Sequence, residues 1–343
     1  MTDQHPSVLN LEQIVQDVLS SIEREREREI IARRFGLFDR KETLEQIGEL
    51  LGITRERVRQ LEKSVMIRLR SGAEQLPHVT DVQATIIETL KREGETARIT
   101  TLSGILTAEN SRTDQSRLAF MTEICPGLST ISEDDSFYQA VGVGQTHDEA
   151  AIRKEVGKLI QAVTEAGKPV ETAQLTKLSG LSNDAYTQAL ASISKQLATL
   201  NGRWGLVKWP TVNPRNIRDK IFVILSENGK HMHFNEISEA IKDSDFKRKD
   251  VTTQAIHNEL IKDKRFVLIG RGIYALKDWG YKKGTVADII SEVLREAKEP
   301  LHRDEIVKRV LKSRFVKETT ILLNLQSKPQ FKRVAKATYQ LAD

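Results

Sequence analysis

The sequence predicts a mainly α-helical chain: a helix-turn-helix domain followed by a tandem array of winged-helix domains, each a small helical unit closed by a β-hairpin wing. Three observations predict this. Between residues 43 and 70 two short amphipathic helices flank a glycine-containing turn. From about residue 77 a pattern of three helices and a short β-rich segment repeats. An aromatic residue recurs at one place in those segments, at Trp204, Tyr274 and Tyr339.

Taking the elements in order, Leu11, Ile14, Val18, Leu19 and Ile22 stand at helical spacing. The alternating run from Glu23 to Glu29 keeps helix formers and opposite charges three apart, so one helix is expected over 11–34. After Gly36, Thr43 with Gln46 has the form of a capping box, and Leu44, Ile47, Leu50 and Leu51 form an apolar stripe behind it. Gly52 ends that helix. Thr54 caps the next, which runs to about Arg70 with Val58, Leu61, Val65 and Leu69 on one face. Helix, tight turn, helix is the helix-turn-helix pattern.

The repeats are clearest at the C-terminal end. Residues 264–276 parallel 329–341, and His233–Ile237 parallels His302–Ile306. Pro169-Val170 and the stretch Leu200–Leu206 mark an earlier unit, and Phe137–Val141 closes the faintest one. Turn-forming residues cluster near 142–146, 210–214 and 282–284. The expected domains are therefore 1–76 (helix-turn-helix), 77–143, 144–212, 213–281 and 282–343 (winged helices). The recurring aromatics are expected to pack wing against core.

Bulk properties limit the function classes. With 343 residues the chain exceeds one ordinary core, and 39% hydrophobic with 29% charged residues is normal for a globular protein. No apolar run reaches the roughly 20 residues that span a bilayer, and MTDQHPSVLN lacks the features of a signal peptide. Cys125 stands alone, which excludes a disulfide framework and a cysteine-rich zinc site and makes the cytoplasm the expected compartment. No phosphate loop, zinc-ligand spacing or nucleophile motif is present, so no enzymatic activity, metal or cofactor is expected. His231 and His233 have no further ligands beside them to complete a metal site.

Charge is unevenly distributed. Residues 1–76 carry 13 Lys/Arg against 14 Asp/Glu, residues 77–210 carry 13 against 16, and residues 211–343 carry 27 against 18. The excess of nine positive charges in the last third favours a polyanion. Lys247, Arg248, Lys249, Lys262, Lys264, Arg265 and Arg271 could form one phosphate-binding surface. Arg309, Lys312, Arg314, Lys317, Lys332, Arg333 and Lys336 could form a second.

In the second helix of the helix-turn-helix, the face opposite the apolar stripe shows Arg55, Glu56, Arg59, Gln60 and Lys63. Such a face suits the DNA major groove: Arg forks onto guanine, Glu accepts from cytosine N4, Gln pairs with adenine. Arg57, Arg68 and Arg70 are placed for phosphates.

The residues go further than the pattern. Arg33-Arg34-Phe35-Gly36-Leu37, Thr43-Leu44-Glu45-Gln46-Ile47-Gly48 and the run from Gly52 to Glu62 closely resemble region four of the sigma-70 family, over roughly residues 20–72. That region reads the upstream (−35) promoter element and rests on RNA polymerase. The resemblance implies base-reading places for Arg55, Glu56 and Gln60, and backbone-contacting places for Arg26, Arg34, Thr43, Leu44 and Arg59, with Arg57 and Lys63 beside them. A complete sigma factor carries a preceding domain that melts the promoter. Nothing before residue 20 could be that domain, so duplex opening by this chain alone is not expected. The last two units resemble the HARE-HTH winged-helix family, which includes the N-terminal domain of the polymerase delta subunit; this implies association with DNA or with polymerase. The expected partners are double-stranded promoter DNA and RNA polymerase core, with no membrane and no small-molecule substrate. The sequence therefore points to a sigma-like transcription factor, with a polymerase-associated accessory regulator as the alternative.

Overall fold

A computed structural model describes residues 8–144, 147–246, 248 and 250–342. Gln145 and Thr146 of the expected linker, and Lys247 and Lys249 of the expected basic surface, lie outside the described residues. The chain divides into two compact units, Met1–Lys208 and Trp209–Asp343. No described helix is long and apolar enough to cross a membrane.

The first unit opens with α1 (Leu11–Ser20), capped by the Asn10 side chain accepting from the Gln13 amide, and α2 (Glu25–Phe35). The single helix expected over 11–34 is thus two. The Ser21 amide and hydroxyl both bond back to the Val18 carbonyl, Ile22 drops into the core at 2% exposure, and Arg24 is extended. Burying Ile22 in the turn outweighs the helix propensity of the charged run.

The helix-turn-helix follows as α3 (Leu44–Leu51) and α4 (Arg55–Ser71). The Thr43–Gln46 capping box forms in both directions, and Thr54 caps α4 by accepting from the Arg57 amide. Ile47, Val58 and Ile30 of α2 make a small buried core, ringed by Leu44, Leu51, Ile53 and Leu61. Leu50, expected in the buried stripe, is instead 55% exposed. Gly48 explains the tightness of the turn. A Cβ there would stand 2.7 Å from the Ile53 carbonyl oxygen, so no larger residue admits this approach.

Four times thereafter the chain builds helix, short strand, helix, helix and a β-hairpin. The first copy is α5 (Val79–Glu93), β1 (Thr96–Arg98), α6 (Ile99–Leu106), α7 (Arg112–Ile124), β2 (Leu128–Ile131) and β3 (Ala140–Val143). The second is α8 (Glu149–Ala166), β4 (Val170–Glu171), α9 (Thr172–Ser179), α10 (Asp184–Ile193), β5 (Leu197–Leu200) and β6 (Arg203–Leu206). In the second unit come α11 (Ile217–Asn228), β7 (Met232–His233), α12 (Phe234–Asp243), α13 (Thr253–Lys262), β8 (Phe266–Gly270) and β9 (Ile273–Leu276). The last copy is α14 (Val286–Ala297), β10 (Leu301–His302), α15 (Arg303–Ser313), α16 (Glu318–Ser327), β11 (Phe331–Ala335) and β12 (Thr338–Leu341).

Each copy makes a three-stranded antiparallel sheet in which the last strand lies in the middle, as in β1-β3-β2. This is winged-helix architecture. The first strand of each copy has no counterpart in the expected pattern, because two or three residues are too few to show a period. The recurring aromatics occupy one register position: Trp204 opposite Val170, Tyr274 opposite Met232 and Tyr339 opposite Leu301, all buried. They are core residues. The first copy has Val141 there, opposite Ala97, which is why its repeat is faint in sequence.

The helix-turn-helix does not stand apart from the first winged helix. One continuous core runs from Leu11 to Val143 and contains residues of α1, α2, α4, α5, α6 and α7. Its centre is Phe120 on α7, fully buried and packed edge-to-face on Phe35 at 5.1 Å. Arg117, one turn earlier, is 8% exposed; it donates to the Leu37 carbonyl at 2.9 Å and pairs with Glu12 at 3.0 Å and Asp114 at 3.6 Å. A buried arginine is tolerable because its donors find these acceptors.

The second copy is tied to the first in the same manner. The Arg98 side chain donates to the Ser192 carbonyl in the last turn of α10, and the Tyr138 amide donates to the Ile193 carbonyl at 2.9 Å. Gly94 lies against the start of α10, where a Cβ would be 2.4 Å from the Ala185 carbonyl oxygen.

Phe120→Ala is expected to destabilise the first unit by about 3–5 kcal/mol through the cavity it leaves. Leu50→Ala should change stability by less than about 0.5 kcal/mol, since the side chain is exposed. Urea unfolding followed by far-UV circular dichroism measures both.

Candidate nucleic-acid interface

The tight turn sets α4 so that its N-terminal half projects from the module. Val58 anchors it to α3 while Arg55, Glu56, Arg57, Arg59, Gln60 and Lys63 are all exposed. The base-reading side chains expected from sequence therefore share one solvent-facing surface. They are also linked to each other. Arg59 grips Glu56 with two hydrogen bonds of 2.8 and 2.7 Å, Gln60 donates to the same carboxylate at 3.4 Å, and Arg57 donates to Gln60 at 3.3 Å. Arg55 pairs with Glu45 of α3 at 2.7 Å.

The Arg59 guanidinium holds the Glu56 carboxyl below the usual carboxylate range, and Glu56 in turn raises Arg59. Glu56 is accordingly an anion at neutral pH, able only to accept. On an exposed surface such pairs are weak, so they exchange readily for base and phosphate partners.

The expected backbone contacts divide into two kinds. Arg57, Arg59 and Lys63 stand in solvent on α4. Thr43 has both its amide and hydroxyl engaged in the capping box, so it orients the helix rather than reaching outward. Leu44 is the first helical residue of α3, where a backbone N–H has no intrahelical acceptor and the helix dipole favours an anion. Arg26 donates to the Leu51 carbonyl and thereby ties α2 to the end of α3. Arg34 bonds to Glu62 at 3.2 Å and is half-buried. These two arginines brace the module as well as standing at its edge.

Two of the basic residues expected on the surfaces of the second unit, Arg265 and Arg314, are engaged within the fold. Arg265 is turned inward: it pairs with Asp263 at 2.7 Å and Asp219 at 3.1 Å, and its guanidinium lies over the rings of Phe222 and Phe266. Two carboxylates neutralise it, which removes it from a phosphate surface. Arg314 is partly buried and donates to the Leu268 carbonyl at 3.4 Å; burial lowers its guanidinium. Arg248 is exposed in the loop before α13, a loop held from below by the buried Lys220, whose ammonium donates to the Arg248 carbonyl at 2.6 Å. Lys264 and Arg271 are exposed at the two ends of β8, Lys317 is exposed just before α16, and Arg333 is exposed on β11. His233 and His302, paired in the sequence repeat, prove to be helix caps: each Nδ1 accepts from an amide at the start of its helix.

Two features of the interface carry no sequence signal of their own. Gly48 reads as an ordinary helical residue until the Ile53 carbonyl is placed against it. Glu45 becomes part of the face only through its pairing with Arg55.

Comparison with known proteins agrees with this geometry. Residues 24–71 match the family model described as Sigma-70, region 4. Among curated proteins, the chain is similar to the RNA polymerase sigma factor SigA of a Bacillus species, 44% identical over 61 residues. It is similar also to the RNA polymerase sigma factor RpoD of two strains of Helicobacter pylori, each 49% identical over 59 residues. These matches cover 17–18% of this chain and 16%, 9% and 8% of the relatives' own lengths. The arginine pair on α2, the capped α3, the glycine turn and the polar face of α4 all fall within the segment 24–71 that matches the sigma-70 region 4 model, in a chain whose remaining described elements build winged-helix units.

Proposed function

We propose that this chain is a sigma-like transcription factor that reads double-stranded promoter DNA through α4 and associates with RNA polymerase. The observation that carries the reading is the exposed set Arg55, Glu56, Arg59 and Gln60 at the start of α4, the last three hydrogen-bonded around one carboxylate and Arg55 paired with Glu45, on the segment that matches region 4. Arg55, Glu56 and Gln60 read base edges. The Leu44 amide, Arg57, Arg59 and Lys63 hold phosphates and set the register. Arg248, Lys264, Arg271, Lys317 and Arg333 add sequence-independent attraction from the second unit. The protein acts in the cytoplasm, on the nucleoid, by binding rather than by catalysis, with no metal or cofactor assigned.

A second reading is a polymerase-associated accessory regulator, in which the region 4 module only docks or holds DNA. It is favoured by the fact that winged-helix units make up most of the described chain.

Single-site DNA binding separates base readout from simple attraction. Gln60→Ala or Glu56→Ala should relax preference at one base pair by about ten- to a hundredfold, as for loss of one bidentate contact. Lys63→Ala should weaken binding equally on all sequences and lower the salt slope by about one. Fluorescence anisotropy on promoter and scrambled duplexes at several salt concentrations measures both; equal losses on both duplexes for every variant would leave only the accessory reading. Co-purification with polymerase then locates the second contact. Retention by residues 1–208 supports the sigma-like role, and loss on removal of 209–343 supports the accessory role. Residues 1–76 are not a suitable deletion, because they share their core with α5–α7.

A further inference from the structure

The second unit carries a feature that the DNA-reading surface does not use. A cleft of about 580 Å³ lies where the end of α13 meets β8, β9 and the segment after Trp279. Leu260, Phe266, Val267 and Tyr274 contribute buried apolar surface to it. At its lip, Ile261 is 64% exposed and Leu268 is 43% exposed. Two large aliphatic side chains facing water beside an apolar concavity mark a binding surface rather than an ordinary one.

Charge restricts the occupant. Lys262, Lys264, Lys277 and Lys283 also line the cleft, all exposed and none in an ion pair among the described residues. The one carboxylate present, Asp263, is held by Arg265 through its side chain and is thereby neutralised. The cleft thus combines an apolar centre with an uncompensated positive rim. Duplex DNA would satisfy the rim, but its backbone offers no apolar group to cover Ile261 and Leu268. An acidic peptide segment with aliphatic or aromatic anchors satisfies both at once, carboxylates on the lysines and anchors between the lips.

We propose that this cleft docks a short acidic segment of a partner protein, with Ile261 and Leu268 gripping its apolar side chains and the four lysines its carboxylates. Lys264 is common to this rim and to the phosphate-attracting set above, so the segment and DNA would compete for that one residue. The proposal does not depend on promoter reading by α4.

The test is selection of random peptides of about 12 residues, displayed on phage, against the immobilised full chain, followed by anisotropy with the enriched peptide in synthetic form. The enriched sequences are expected to be acidic and to carry two or more Leu, Ile or Phe residues. Their affinity should fall with salt, and by about tenfold or more in Leu268→Asp and in the Lys262→Glu/Lys264→Glu double variant. These side chains are exposed, and a thermal melt checks each fold; the lysine variant stands alone if Leu268→Asp melts early. The proposal is overturned if no peptide is enriched, if the enriched peptides are neutral or basic, or if binding survives the lysine changes. It is overturned equally if Leu268→Asp weakens binding of a promoter duplex as much as that of the peptide, which would make the cleft part of the nucleic-acid surface.

Discussion

The burial of α7 beneath the helix-turn-helix is the constraint on which the first unit depends. In a winged helix the third helix is the one with a face to offer to a partner. Here that helix is closed in by α1, α2 and α4, with Phe120 against Phe35 and Arg117 bonded to the Leu37 carbonyl and to Glu12. Seven of its thirteen residues are buried, so it presents little polar surface to nucleic acid. The first winged helix thereby serves as a plinth for the region 4 module. Closure of this kind costs one binding face and holds the other still: α4 keeps a fixed orientation to the sheet β1-β3-β2, not the freedom of a module on a linker.

The same use of the third helix recurs once and then stops. In α10, Tyr186, Thr187, Ala189, Leu190, Ala191 and Ile193 are buried, and the helix lies against β1 and the Gly94 corner. The Tyr186 hydroxyl, pushed up by burial, donates to Glu155 and lies 2.9 Å from His147, whose other ring nitrogen is 2.6 Å from Glu95, between α5 and β1. In the second unit, by contrast, α13 buries only Ile256 and Leu260, and α16 only Ile321 and Leu325. The repeats thus share a fold but differ in what they expose: two bury most of their third helices, and two leave them largely exposed.

Much of this was legible in the sequence where local chemistry decides. Thr43 with Gln46, the glycine turn and the stripe on α4 specify the helix-turn-helix through capping and periodicity, and the identity of Arg55, Glu56 and Gln60 specified its outward face. The recurring aromatics marked the middle strands because a large aromatic fills the same register position in three of the four described sheets. Other features were not legible because they depend on residues distant in sequence. Leu50 has the spacing of a core residue, but it is not part of the small core that Ile30, Ile47 and Val58 make. Arg265 has the spacing of a wing cation, yet Asp219, 46 positions earlier, turns it inward. The break at residues 21–24 opposes local helix propensity and is decided by a pocket for Ile22 that the chain completes only later.

The Gly94 corner has a consequence for how such a chain can diverge. Because the backbone there touches the Ala185 carbonyl with no room for a Cβ, the first and second winged helices are keyed together by main chain as well as by side chains. Side-chain interfaces drift by compensating substitutions, one residue at a time. A main-chain key allows no such drift, because any side chain at Gly94 would collide with the Ala185 carbonyl. Substitution should therefore be tolerated less at this corner than on the solvent-facing surfaces that the repeats carry.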